Sequence, residues 1–251
     1  MLTDPLFYAV AVPAVLLLGL AKGGFAGVGV IAVPLLALAV EPVRAATILL
    51  PILLVQDVVS VWAFRRSWDR TILIRMLPGA VVGIVLGWLL PARVPGGAVE
   101  LAVGVIAVLF ASHRLWTERG GAAPGTPGSL PFALLCGAAS GFTSQVAHAG
   151  GPPFQMYVLP RGLSRDAFIG TSAIFFALVN WLKVPAYVAL GQFTAANLLT
   201  SAALLPAAVA STFAGVWLVR RVPREGFYLL IYALLLVVGA KLVWDGASAL
   251  S

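Results

Sequence analysis

Residues 130–159 read LPFALLCGAASGFTSQVAHAGGPPFQMYVL. An apolar run, Leu130–Val146, passes through a glycine-rich break (Ser140–Pro153) into a second run, Gly150–Leu159. Ten residues cannot cross a bilayer core, which takes roughly 20 in a helix. Broken backbone at membrane depth survives only where protein or a water-filled cavity satisfies its polar groups. The stretch therefore predicts a re-entrant or kinked hairpin that dips into a membrane protein.

The rest of the chain has the same grain. Apolar runs Pro5–Leu20, Gly24–Val40, Ala45–Phe64, Thr71–Leu90 and Val94–Ser112 precede this stretch. Ala167–Leu190, Asn197–Val219 and Gly226–Val243 follow it. Of 251 residues, 61% are hydrophobic and 10% charged, with a mean hydropathy of +1.03. A soluble domain carries about 25% charged residues, so a soluble enzyme, a nucleic-acid binder and a disordered regulator are excluded. The one cysteine, Cys136, can form no intramolecular disulfide. Asp4 and the lack of Lys or Arg before Leu6 mark Leu6–Leu20 as a retained span rather than a secretory signal.

A Gly/Pro-rich linker, residues 113–129, separates a first repeat (1–112) from a second (130–251). Each set opens with two short runs around glycines and continues with three longer ones. Two short echoes accompany this: Lys22-Gly23-Gly24-Phe25-Ala26-Gly27 against Ala139-Ser140-Gly141-Phe142-Thr143-Ser144, and Leu77-Pro78…Gly87 against Leu205-Pro206…Gly215. The net charge of +7 sits in the loops. Arg65, Arg66, Arg70 and Arg75 mark one; Arg114 and Arg119 the linker; Arg161 and Arg165 a third; Arg220, Arg221 and Arg224 a fourth. The positive-inside rule makes all four cytoplasmic and both termini periplasmic, so the halves enter from opposite sides. The expected fold is an all-α polytopic membrane protein of two inverted-topology repeats. It has about eight helical units, each half opened by a broken or re-entrant hairpin, or ten if each opening pair makes two full spans; the short runs favour the hairpins.

Paired breaks in inverted halves point to a midplane binding site. A helix restarting after a break offers free N–H groups and a positive dipole end to an anion. The first break supplies Lys22, Gly23, Gly24 and Gly27, and the second Ser144, Gln145, His148, Gly150, Gly151 and Pro152. The same glycines are equally suited to close helix packing. Asp57 lies deep in its run, where ionisable groups need compensation. It can carry a proton, pair with Lys22 or Lys183, or tie helices by hydrogen bonds. Lys22 can counter an anion or snorkel to the interface. Asn180 aligns loosely with Asp57 across the halves, and Lys183 follows it. His148 brings an imidazole, the side chain whose ordinary pKa lies nearest neutrality, and can hydrogen-bond an oxyanion or shuttle a proton. Trp181, Tyr157 and Phe175 can wall an apolar part of a substrate, whereas Trp62, Trp68, Trp88, Trp116, Trp217 and Trp244 fit interfacial belts.

The run Gly141-Phe142-Thr143-Ser144, then Gly150-Gly151-Pro152-Pro153-Phe154-Gln155-Met156-Tyr157-Val158-Leu159, continuing through Leu163-Ser164-Arg165 to Thr171, Phe175, Phe176 and Asn180, resembles the second-half signature of the TauE/SafE sulfite/sulfonate exporter family. Lys22–Gly29 with Pro34-Leu35-Leu36 resembles its first half. Val30-Ile31 stands where that family has more glycine, and His148-Ala149 where a small-residue turn is usual. The resemblance implies transport of small sulfur-containing or organic anions such as sulfite and sulfonates, usually outward.

The expectation is a secondary transporter in a bacterial inner membrane, exporting such anions by alternating access. An inside-negative potential favours anion export by roughly 2.3 kcal/mol per charge per 100 mV. The alternative is a proton-coupled importer of a small sulfur compound or carboxylate, with Asp57 and His148 as proton carriers. Remote alternatives are an intramembrane serine hydrolase using Ser144 and His148, and a non-transporting scaffold. No P-loop or HExxH occurs, and Cys and His are too few for a metal centre. No enzyme activity, metal or cofactor is expected. The expected partners are a small anion, the lipid bilayer and, in a homodimer, a second copy of the chain; nucleic acid is not one.

Overall fold

The computed structural model describes residues 5–25, 28–89, 96–119 and 128–250. These form α1 (Pro5–Gly23), α2 (Ala32–Ala37), α3 (Pro42–Phe64), α4 (Arg70–Leu89), α5 (Gly96–Arg119), α6 (Leu130–Ala147), α7 (Gly151–Val158), α8 (Arg165–Ala189), α9 (Ala195–Val219) and α10 (Arg224–Ser248). Short 3₁₀ turns precede α2 and follow α7. No strand occurs among the described residues. Among the described residues six helices (α1, α3, α4, α8, α9 and α10) are long and apolar enough to cross a membrane, and α6 is a shorter apolar helix. The chain is an all-helical polytopic membrane protein.

Local chemistry sets the ends. Ser129, Ser164 and Thr194 cap α6, α8 and α9 by accepting from Phe132 N, Ala167 N and Asn197 N, satisfying one orphan donor each. Gly24, at φ +139, lets the chain leave α1 in a conformation that a Cβ would oppose. α5 continues through Arg119, seven residues into the stretch read as linker. Residues 113–119 are polar but contain no Gly or Pro, and polarity alone does not stop a helix.

The main helix pairings are unchanged when α1–α5 are exchanged for α6–α10. α1 packs on α9 and α4 on α6, while α3 crosses α8 and α5 packs on α10. The directions match too. α1 runs parallel to α9, with Gly19 on Ser211 and Gly23 on Gly215. α4 runs parallel to α6, with Gly79 on Leu134, Gly83 on Ala138 and Gly87 on Gln145. α3 and α8 are antiparallel. Thr47 donates to Gln192 just beyond the end of α8 (3.3 Å), and Asp69 N just beyond the end of α3 donates to Thr171 Oγ1 (2.8 Å). In α5 and α10, Gly97 meets Ala249 and Gly104 meets Val243, again antiparallel. A two-fold axis across the helices describes this set.

Small residues make these contacts close. With lipid as solvent, helices associate through van der Waals packing, and small residues four apart let backbones approach. Gly79, Gly83 and Gly87 supply such a stripe on α4, Gly137 and Gly141 on α6, and Gly19 and Gly23 on α1. A Cβ at Gly83 would fall on the Ala138 carbonyl oxygen, which belongs to backbone and cannot step aside. Gly83→Val is expected to destabilise the protein by about 1–3 kcal/mol, the usual cost of overpacking. Thermal unfolding in detergent checks this, with exposed Val82→Ala as the near-neutral control.

Candidate functional site

The two breaks meet at the crossing of α3 and α8. Asp57 stands fifteen residues past the first residue of α3, and Asn180 fifteen past the first of α8. Their side chains touch: Asn180 Nδ2 donates to Asp57 Oδ2 at 2.7 Å. Equivalent residues can contact each other only on the two-fold axis, so this bond marks it. The other carboxylate oxygen, Oδ1, accepts from Lys22 Nζ at the end of α1, at 2.5 Å. Asp57 is 1% exposed and Lys183 0%. Lys22 thus turns inward to a carboxylate rather than outward to an interface.

Each break is stitched from the helix crossing it. Three residues past Asp57, Ser60 Oγ donates to the Lys22 carbonyl (2.6 Å). Three past Asn180, Lys183 Nζ donates to the Ser144 carbonyl (3.2 Å) and to Ser144 Oγ (3.1 Å). Helix contacts therefore pair Lys22 with Ser144, whereas the glycine echo in the sequence pairs it with Ala139. In the second break Ser140 Oγ donates to the Gly150 carbonyl (2.7 Å) and Thr143 Oγ1 to that of Ala149 (3.1 Å). Irregular backbone is satisfied by protein, as the bilayer interior requires.

Between the breaks lies a cavity of about 100 Å³, room for several waters. Lys22, Lys183, Asn180, Ser144, His148 and Gln155 form its polar side. Phe154, Phe168 and Phe176 supply much of its apolar wall, with Lys22 Nζ 5.6 Å from the Phe176 ring centre. Both ring nitrogens of His148 and both amide atoms of Gln155 are buried and lack a hydrogen-bond partner. His148 ends α6 with φ +53, a left-handed conformation that costs a non-glycine residue about 1 kcal/mol or more. Its N–H and that of Ala149 bond back to the Ser144 and Thr143 carbonyls (3.2 and 3.1 Å), which hold it there. The constellation offers two lysines and several neutral donors against one carboxylate.

The other sequence candidates lie elsewhere. Gly24 and Gly151 line the cavity, while Gly23 is spent on packing against Gly215 and Gln145 lies against Gly87. Gly150 and Pro152 are buried beside the cavity without lining it. Gly27 falls outside the described residues. Pro152 and Pro153 have no N–H, so of the first three residues of α7 only Gly151 can present one to a ligand. Ser144 and His148 share no side-chain hydrogen bond, so the serine–histidine dyad is not assembled. Tyr157 and Phe175 are core residues, and Trp181 is 59% exposed; none lines the cavity. Sequence reasoning passed over Gln155, whose signal is a lone amide in an otherwise apolar short helix. It also passed over Ser60, which reads as a small packing residue. No group of three or more His, Cys, Asp or Glu among the described residues could hold a metal ion.

A protein-family model described as "Sulfite exporter TauE/SafE" matches residues 11–242, nearly the whole chain. No curated protein and no solved structure matches it.

Removing one partner of a buried ion pair leaves the other uncompensated, at a cost of about 3–5 kcal/mol. Lys22→Gln should therefore destabilise the fold on that scale, and Lys22→Gln/Asp57→Asn should recover most of the loss. A double-mutant cycle by thermal unfolding gives the coupling.

Proposed function

Because the chain belongs to the TauE/SafE sulfite exporter family, we propose that it carries small sulfur-oxygen anions, sulfite or a sulfonate, across a bacterial inner membrane. The observation that carries the reading is the charge balance of the cavity. Lys183 has only neutral oxygen partners, while Asp57 is already engaged by Lys22 and Asn180. An anion in the cavity supplies the counter-charge that a buried ammonium lacks. Gln155 and His148 add neutral donors for its remaining oxygens, and Phe154 and Phe176 wall the rest.

The arginine-rich ends of α3 and α9 face the cytoplasm in this reading, and both termini face the periplasm. The two-fold pairing supports inverted repeats, 1–112 and 130–251, with the Asp57–Asn180 bond at the bilayer midplane. Alternating access then rocks one half against the other around that point, while the Lys22–Asp57 and Lys183–Ser144 contacts, each within its own half, hold each break to the helix that crosses it. The inside-negative potential drives a bound anion outward without a further coupling ion.

Reconstituted in proteoliposomes on a solid-supported membrane, the protein should give a saturable charge displacement with sulfite or a sulfonate. Lys183→Gln should raise the half-saturating concentration by about tenfold or more, the worth of one hydrogen bond to a charged group. No charge displacement across sulfite, sulfonates and simple carboxylates, with folded protein present, would contradict electrogenic export.

A further inference from the structure

A second cleft, of about 350 Å³, lies on the outer surface of the helix bundle between the C-terminal ends of α3 and α9. Trp62 from α3 and Phe213 and Trp217 from α9 line it, with Arg220 and Arg221 at its rim. The three aromatic side chains are 49–60% exposed, far more than an internal packing site would leave them. The Arg221 guanidinium lies over the Trp217 ring at 3.7 Å and that of Arg65 over Trp62 at 5.1 Å. Among the described residues, none of Arg65, Arg220 and Arg221 is ion-paired to a carboxylate.

We propose that this cleft holds one anionic phospholipid of the inner leaflet, its phosphate between the guanidiniums and its acyl chains along Trp62, Phe213 and Trp217. Both helices cross the membrane, so the cleft opens onto lipid, and tryptophans mark headgroup level. Arginine forks match phosphate oxygens, and basic pockets between membrane helices on the cytoplasmic side favour acidic headgroups. A zwitterionic headgroup would bring its own cation against Arg220 and Arg221; phosphatidylglycerol brings none. Topology alone requires positive charge in these loops, but not guanidiniums stacked over exposed indoles at the mouth of a cleft. The equivalent end of α8 carries Val188, Ala189 and Leu190, none of them basic. α3 belongs to the first half and α9 to the second, and the lipid therefore bridges the two. This inference rests on the membrane reading and not on the identity of the transported anion.

The test is native mass spectrometry of the full chain in detergent with phosphatidylglycerol and phosphatidylcholine at equal concentration. Wild type should retain one phosphatidylglycerol, preferred by roughly fivefold for each arginine engaged. Arg220→Gln/Arg221→Gln should lose that preference, and the charge-matched Arg66→Gln/Arg70→Gln, at exposed positions outside the cleft, should keep it. Equal retention of the two lipids by wild type would overturn the proposal without any variant. Equal loss in both double variants would overturn it too, since diffuse charge would then suffice.

Discussion

The Asp57 carboxylate is the point on which the structure turns. It is buried at the crossing of α3 and α8 and bridges Lys22 of the first hairpin to Asn180 of the second half. A lone carboxylate in such a place would cost many kcal/mol, so its two partners must be present whenever the halves are assembled. That requirement fixes the end of α1 against α3, and α3 against α8, at one height. The two-fold pairing of the other helices is consistent with this single contact on the axis.

From that point the breaks become possible. A helix that stops in mid-membrane leaves carbonyl groups unpaired, and each must find a donor. Ser60 and Lys183, equivalent in position but different in chemistry, provide it for Lys22 and Ser144. The same difference breaks the symmetry where function needs it. One half puts a hydroxyl beside its break and the other an amine, so the two sides of the cavity differ in chemistry. Glycine and serine stripes keep α1 on α9 and α4 on α6 close, which leaves α3 and α8 free to bear the polar groups. His148, in its left-handed turn, and Gln155 complete a polar wall whose hydrogen bonds the protein itself leaves unmade.

Much of this was legible in the sequence, for definite reasons. Run lengths and loop arginines revealed the membrane class and the two broken hairpins, because bilayer thickness is a hard ruler. Lys22, Asp57, Asn180, Lys183 and His148 stood out because ionisable or amide groups in apolar runs demand partners. What stayed hidden was direction. A helix that is apolar all round gives no sign of which face is inward, so Tyr157, Phe175 and Trp181 drew attention that belonged to Phe154, Phe168 and Phe176. Ser60 and Gln155 were hidden by their modesty: a hydroxyl and an amide in a helix can always be read as packing. α5 runs on to Arg119 past the point where polarity sets in, because polarity alone does not stop a helix as Gly or Pro does.

The most direct test of the account is the position of a bound anion. Selenite, an isostere of sulfite with a strong anomalous signal, would be soaked into crystals of the protein. The account requires an anomalous peak inside the cavity, within hydrogen-bond reach of Lys183 Nζ and on the side of His148 and Gln155. A peak at a surface arginine instead, or an empty cavity at saturating selenite, would contradict it.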